Sequence, residues 1–210
     1  MKSQLPKLLL ALVLVAPQVR AQTVPTSAND VSPLKIGLKL PQITLADSTG
    51  AKYELTKSLA NGPAILVFYR GGWCPYCNTQ LAGLAKIEPE LLKLGYRLFA
   101  VSPDSPAELS KTGTKNNLRY KLLSDAKMDA SRALGLAFQL DAGTVEKYKT
   151  YGIDLGKQSG GQNPNLLPVP AIYMVGSDGI VDFSYVNPDY ATRVPEELIL
   201  AAAKIFAPKK

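Results

Sequence analysis

Along the chain, apolar positions fall into two alternating rhythms. Residues 64–69, AILVFY, are apolar without interruption, the pattern of a central strand covered on both faces. Leu81, Leu84, Ile87, Leu91 and Leu94 then recur at steps of three and four. That spacing predicts an amphipathic helix that begins near Cys74 and stops at Gly95, bent where Pro89 interrupts its donor ladder. A second buried strand follows over 96–101. Helices are predicted over 106–117, 129–136 and 144–151, with a short strand at 120–123 between the first two. Strands at 171–175 and 180–185 are joined by Gly176-Ser177-Asp178-Gly179, and a last helix spans 195–206 with Pro195 in its first turn. Upstream, strands at 43–45 and 52–55 flank the turn Asp47-Ser48-Thr49-Gly50. Residues 56–60 form one helical turn stopped by Asn61-Gly62-Pro63. Strand–helix alternation closed by a hairpin and a helix predicts an α/β fold, a central mixed sheet flanked by helices.

Two stretches break the rhythm. Residues 154–168, DLGKQSGGQNPNLLP, show no periodicity over a length unusual for a connection, which fits either a lid or a mobile insertion. Residues 22–40 are rich in Thr, Ser, Asn and Pro and read as a flexible arm leading into a domain over 41–207.

Before the arm, Lys2 and Lys7 precede an apolar run from Leu8 to Ala16, and Val19-Arg20-Ala21 follows. This is the layout of a secretory signal peptide over 1–21, and its run of about nine apolar residues is short of the roughly 20 that span a bilayer. Export predicts a periplasmic or secreted protein with no stable membrane association once the leader is cleaved. Loss of Lys2, Lys7 and Arg20 lowers the net charge from +7 to +4, so the basic balance does not point to nucleic acid. The densest basic run, Lys111, Lys115, Arg119 and Lys121, reads as a solvated helix face.

The chain holds two cysteines, Cys74 and Cys77, and no histidine. Such a pair has three possible uses: a redox couple, half of a metal site, or a staple. A closed zinc site needs four Cys or His ligands, so no metal and no cofactor is expected. Thiols three positions apart close too small a loop to stabilise a fold much. The redox couple fits best. The order of buried strand, Gly-rich turn, Cys-Pro-Tyr-Cys and helix sets Cys74 at a helix N-terminus, where unpaired N–H groups and the helix dipole favour a thiolate. Pro75 fits the first turn, which needs no N–H donor. Cys77 falls one turn in, within reach of Cys74. Cys74 is thus the expected nucleophile and Cys77 the resolving thiol, the two forming a disulfide in the oxidised state.

FYRGGWCPYCNTQL (68–81) resembles the thioredoxin superfamily, and within it the peroxiredoxin-like proteins of the alkyl hydroperoxide reductase/thiol-specific antioxidant family. Trp73 before the first cysteine is similar to thioredoxin, and the Pro-Tyr between the cysteines to glutaredoxin. VSPDSPAEL (101–109), LLSDAKMDASRALGL (122–136) and VPAIYMVGSDGIV (169–181) resemble peroxiredoxin segments in the same order, so the resemblance runs from about Pro41 to Ala207. It implies a thioredoxin-like fold and a thiol peroxidase that reduces hydroperoxides through Cys74 and Cys77 and is itself reduced by a thioredoxin-like donor. It also implies that Val169-Pro170 is a cis-proline facing the active cysteine, with Gly72, Trp73 and Pro170 around the substrate. NPDYATRVPEEL (187–198) resembles the stretch carrying the peroxide-polarising arginine, which makes Arg193 a candidate catalytic residue.

One position departs from that pattern. Peroxiredoxins carry a threonine or serine three residues before the peroxidatic cysteine, and Gly71 stands there instead. Backbone N–H groups, Thr79 or Arg70 are the available substitutes, Arg70 also fitting a solvent-facing strand end. The alternative reading is an extracytoplasmic oxidoreductase acting on protein disulfides, for which the same dithiol suffices. A binding module with an incidental Cys74–Cys77 bridge is the third.

Overall fold

A computed structural model describes residues 23–163 and 165–207; the leader expected over 1–21 lies outside them. In chain order the elements are β1 (Thr44–Asp47), β2 (Lys52–Glu54), α1 (Leu55–Ser58), β3 (Ala64–Phe68), α2 (Pro75–Lys93), β4 (Arg97–Ser102), α3 (Pro106–Lys115), β5 (Lys121–Ser124), α4 (Asp129–Ala133), β6 (Ala137–Gln139), α5 (Ala142–Thr150), α6 (Leu155–Gln158), β7 (Leu166–Pro168), β8 (Ala171–Val175), β9 (Val181–Val186) and α7 (Glu196–Phe206). Seven strands form one mixed sheet in the order β2-β1-β5-β4-β3-β8-β9. β3, β4 and β5 run parallel, and the remaining neighbours pair antiparallel.

β3 shows why the uninterrupted apolar run was informative. Side chains alternate across a strand, and both faces of β3 are covered. Ile65, Val67 and Tyr69 enter a cluster with Leu81, Leu84 and Leu91 of α2 and Ile199 and Ala203 of α7. Ala64, Leu66 and Phe68 enter a second cluster, with Leu55, Leu59, Tyr173 and Val175. Each fully buried Leu, Ile or Phe contributes on the order of 1.5–3 kcal/mol. Sheet position therefore fixes where β3 ends, and its end places the Gly-rich turn and the start of α2. α2 continues through Pro89 to Lys93 without interruption. Of the basic run, Lys111, Lys115, Arg119 and Lys121 are exposed, and Lys111 pairs with Glu108 at 2.6 Å.

The two stretches without a hydrophobic rhythm are more ordered than their composition suggests. The described part of the 22–40 arm is tied to the domain: Leu34 N donates to Leu134 O (2.9 Å), Gly37 N to Val181 O (2.9 Å), Leu40 N to Gly179 O (2.8 Å), and Gln139 N to Pro25 O (2.8 Å). Its polar composition concealed these backbone bonds, which need no apolar side chain.

The aperiodic stretch 154–168 carries α6 and then β7, which pairs antiparallel with β6 as a separate two-stranded ribbon. Buried Asn163 holds it: its Nδ2 donates to Leu166 O (2.8 Å) and its Oδ1 accepts from Leu166 N (3.1 Å). Ser159 Oγ accepts from Asn163 N (3.0 Å) and donates to Asn163 O (3.1 Å). Side-chain bonds of this kind leave no hydrophobic period to read.

Candidate active site

Beyond β3 the chain passes Tyr69 and Arg70, turns at Gly71 and Gly72, and enters α2 with Cys74 as its N-cap and Pro75 as its first helical residue. Gly71 has φ +143°, and a Cβ there would lie 2.3 Å from Trp73 Nε1 and 2.9 Å from Asp104 Oδ1. A side chain has no room, so the hydroxyl expected three residues before Cys74 is excluded by the path of the turn. Gly72 is equally constrained, since its Cβ would meet Thr112 Oγ1 at 1.9 Å.

Hydrogen bonds hold the turn. Gly72 N donates to Asp104 Oδ2 (2.8 Å), and Gly72 O accepts from Asn78 Nδ2 (2.8 Å), so the Gly72 N–H is committed to the turn while its carbonyl retains a second lone pair. Asn78 Oδ1 accepts from Asn116 Nδ2 (2.9 Å), and Cys74 N donates to Gly71 O (3.1 Å). Asp104 is buried and also accepts from Ser102 Oγ (3.0 Å). Burial pushes its carboxyl up to about 6 against the Gly72 and Ser102 bonds that favour the anion.

Both cysteines are free thiols, Cys74 1% and Cys77 0% exposed. The Cys74 thiol is held down to about 6 from an ordinary 9. Hydrogen bonding from the Cys77 thiol contributes most, overcoming the opposing cost of burial, with the Cys77 N–H and the charges of Arg70 and Arg193 adding to it. Cys77 is pushed well above its ordinary value, chiefly by burial and then by its bond to Cys74 and the Cys74 charge. At neutral pH Cys74 is therefore the thiolate and Cys77 the thiol, which is the asymmetry a nucleophile and a resolving partner require. The Cys77 N–H is a first-turn amide of α2, so the helix N-terminus acts here through one named donor.

Both arginines singled out in the sequence lie at the thiols. Arg193 Nη2 donates to Cys77 Sγ at 3.5 Å and its Nη1 to Thr192 O at 3.2 Å. Arg70 is not a solvent-facing strand end; it is 5% exposed. Its Nη2 donates to the Tyr148 hydroxyl, and its guanidinium carbon lies 4.0 Å from the Tyr190 ring centre, 5.1 Å from Trp73 and 5.6 Å from Tyr148. Trp73 in turn packs against Tyr148, ring centres 5.5 Å apart. The Thr79 hydroxyl donates to Pro75 O (3.2 Å).

Pro170 is buried and lines a cavity of about 300 Å³ together with Arg70, Phe138, Leu140, Tyr148 and Tyr190. The Val169–Pro170 bond is trans, contrary to expectation. Here Val169 N bonds Leu136 O (2.9 Å) and the chain runs extended from β7 into β8, a path that the intrinsically favoured trans isomer serves. The sequence singles out none of Asp104, Tyr148 and Tyr190 as site residues. Asp104 and Tyr190 lie in the family-like segments 101–109 and 187–198, whereas Tyr148 carries no signal, because only the fold brings it to Arg70.

Residues 36–184 match the model of the AhpC/TSA family. The 1-Cys peroxiredoxin PER1 of Hordeum vulgare is 26% identical over 186 residues, covering 84% of this chain and 75% of that protein. Peroxiredoxin Bcp of Escherichia coli K12 is 34% identical over 107 residues, 50% of this chain and 67% of the other. The crystal structure of peroxidoxin BcpB from Mycobacterium tuberculosis superposes with a TM-score of 0.64 at 19% identity, over 82% of this chain and 98% of that one, and shares its fold.

Proposed function

Since the chain belongs to the AhpC/TSA family and is an oxidoreductase of the thiol peroxidase class, we propose that it reduces hydroperoxides through a Cys74/Cys77 dithiol–disulfide cycle outside the cytosol. The observation that carries this reading is the split between the thiols, Cys74 down to about 6 and Cys77 raised, in one helical turn. The Cys74 thiolate attacks a peroxide oxygen, the O–O bond breaks, and the second oxygen leaves with a proton as water or an alcohol, which makes Cys74 a sulfenic acid. Cys77 then loses its proton and attacks the Cys74 sulfur. The expelled hydroxide takes up a proton, leaving water and a Cys74–Cys77 disulfide. A thioredoxin-type donor, oxidised in exchange, returns both thiols. Trp73 and Pro170 flank the site on the side where substrate and donor would approach. The apolar run over 8–16 and the basic residues before it support a periplasmic or secreted location.

The experiment is peroxide consumption by the reduced protein with a thioredoxin-type donor, in which Cys74→Ser abolishes turnover. A second reading, exchange with protein disulfides, is favoured by the lack of a hydroxyl at Gly71. It prevails if the wild type leaves peroxide untouched yet reduces a protein disulfide.

A further inference from the structure

Two arginines stand at two thiols, and their surroundings differ. Arg70 is a buried cation without a carboxylate: among the described residues the ion pairs involve other side chains. A buried charge is costly unless something answers it. Tyr148 accepts one of its five N–H donors, and the faces of Tyr190, Trp73 and Tyr148 supply cation–π contact. These partners are neutral. They fix the guanidinium in place and leave its charge and further donors available to an anion.

Solvent reaches Arg70 through the cavity it lines with Tyr148 and Tyr190, whereas Cys74 is itself 1% exposed. Arg193 lines a different cavity, of about 240 Å³, with Tyr76 and Gln80, and its Nη2 is bonded to Cys77 Sγ. The Tyr76–Tyr190 pair, edge to face at 5.9 Å, joins a residue of each cavity.

We infer that the arginines divide the thiols between them: Arg70, positioned by Tyr148, contacts the peroxide that Cys74 attacks, and Arg193 serves Cys77 when the disulfide closes and reopens. The inference rests on the thiol peroxidase reading. In the first step the thiolate charge passes to the departing oxygen as the O–O bond breaks, and Arg70 faces that oxygen until it is protonated. In the second, Cys77 must carry negative charge as it attacks, and in the reductive step it leaves as a thiolate; Arg193 is bonded to that sulfur. Tyr148 sits on α5, a helix with no buried residue, and touches the site through its ring on Trp73 and its hydroxyl on Arg70. It acts through Arg70 and is a positioning residue.

Trp73 is the only tryptophan, so stopped-flow fluorescence separates a peroxide-dependent phase from a peroxide-independent closure of the disulfide. Arg70→Met is expected to slow the first phase about 100-fold, as loss of one preorganised donor does, with closure changed much less. Arg193→Met is expected to slow closure about tenfold or more and to affect the first phase far less. Tyr148→Phe, which keeps the ring, is expected to slow the first phase about fivefold and to move the Cys74 thiolate titration upward. Arg70→Lys, charged but without the planar fork, should recover only part of the loss if Arg70→Met folds poorly. Equal slowing of the first phase by Arg70→Met and Arg193→Met overturns the division. So does a Tyr148→Phe titration that coincides with the wild type. If the wild type shows no peroxide-dependent phase, the peroxidase reading fails, and alkylation of Cys74 against pH still reads the division: it survives only if Arg70→Met shifts the curve more than Arg193→Met.

Discussion

Gly71→Thr would supply the hydroxyl that peroxiredoxins carry three residues before the reactive cysteine, so the substitution has a clear naive expectation, faster peroxide chemistry. The geometry predicts the opposite. Gly71 has φ +143°, a backbone region that side-chain-bearing residues occupy at a cost of about 1–3 kcal/mol. The new Cβ would also stand 2.3 Å from Trp73 Nε1, 2.8 Å from Trp73 Cδ1 and 2.9 Å from Asp104 Oδ1, forcing the indole and a buried carboxylate aside. Overpacking of this kind costs a further 1–3 kcal/mol, roughly. The combined loss is about 2–6 kcal/mol, which at roughly 2–4 °C per kcal/mol for a domain of this size lowers Tm by about 4–24 °C. Thermal and urea unfolding followed by Trp73 fluorescence measure the loss directly. Because Trp73 packs on Tyr148 and lies under Arg70, its displacement should also slow reaction with peroxide. Gly71→Ala separates the two effects, since it brings the strain without the hydroxyl. A Gly71→Thr protein as stable as the wild type and faster with peroxide would mean that the turn has room for a side chain and that the missing hydroxyl limits this site.

Alkylation of Cys74 should rise with pH through a midpoint near 6 and level off by neutrality, because the thiolate is the reactive form; a midpoint above pH 8 would contradict the assigned asymmetry. Asp104 and Asp125 are both raised to about 6 by burial, so between their ordinary 3.8 and about 6 the folded protein binds protons that the unfolded chain has released. Stability from these groups is thus fully present below the unfolded value and is lost as pH rises through the folded one, by on the order of 3 kcal/mol each. Asp104→Asn should flatten its share of this slope in urea midpoints taken at pH 4 and pH 7; an unchanged slope would remove Asp104 from the account. Asn163→Ala should lower stability by about 2–3 kcal/mol, since it leaves buried Leu166 groups unpaired, and proteolysis should then cut within 154–168 first. Cys77→Ser should consume one equivalent of peroxide, stop, and leave a sulfenic acid that a dimedone-type reagent captures.

The main sheet was legible where burial left a pattern. β3 and α2 could be read because their apolar positions are continuous or spaced by three and four, and those two elements place the thiols. β6 and β7 are three residues each, with Pro168 ending one of them, too short for any period to register. α5 has no fully buried residue and half-buries Val145 and Tyr148, so its amphipathic signal is faint although Tyr148 packs on Trp73 and reaches Arg70. The same logic divides the active site. Cys74 and Cys77 announce themselves by adjacency and by the turn before them. The surroundings of Arg70 come from Tyr148, 78 positions away, and from Tyr190, which no local spacing could connect to it. Gly71 was legible as a departure from a family pattern, but its cause, the Trp73 ring and the Asp104 carboxylate, lies in three dimensions.

The central claim is that Cys74 and Cys77 act as one dithiol on peroxide. It is tested most directly by treating the fully reduced protein with one equivalent of hydrogen peroxide and determining its intact mass and remaining thiols. The expected result is loss of two hydrogens, no added oxygen, no titratable thiol, and an inert Cys74→Ser protein. A wild type that keeps both thiols after exposure to peroxide would contradict it.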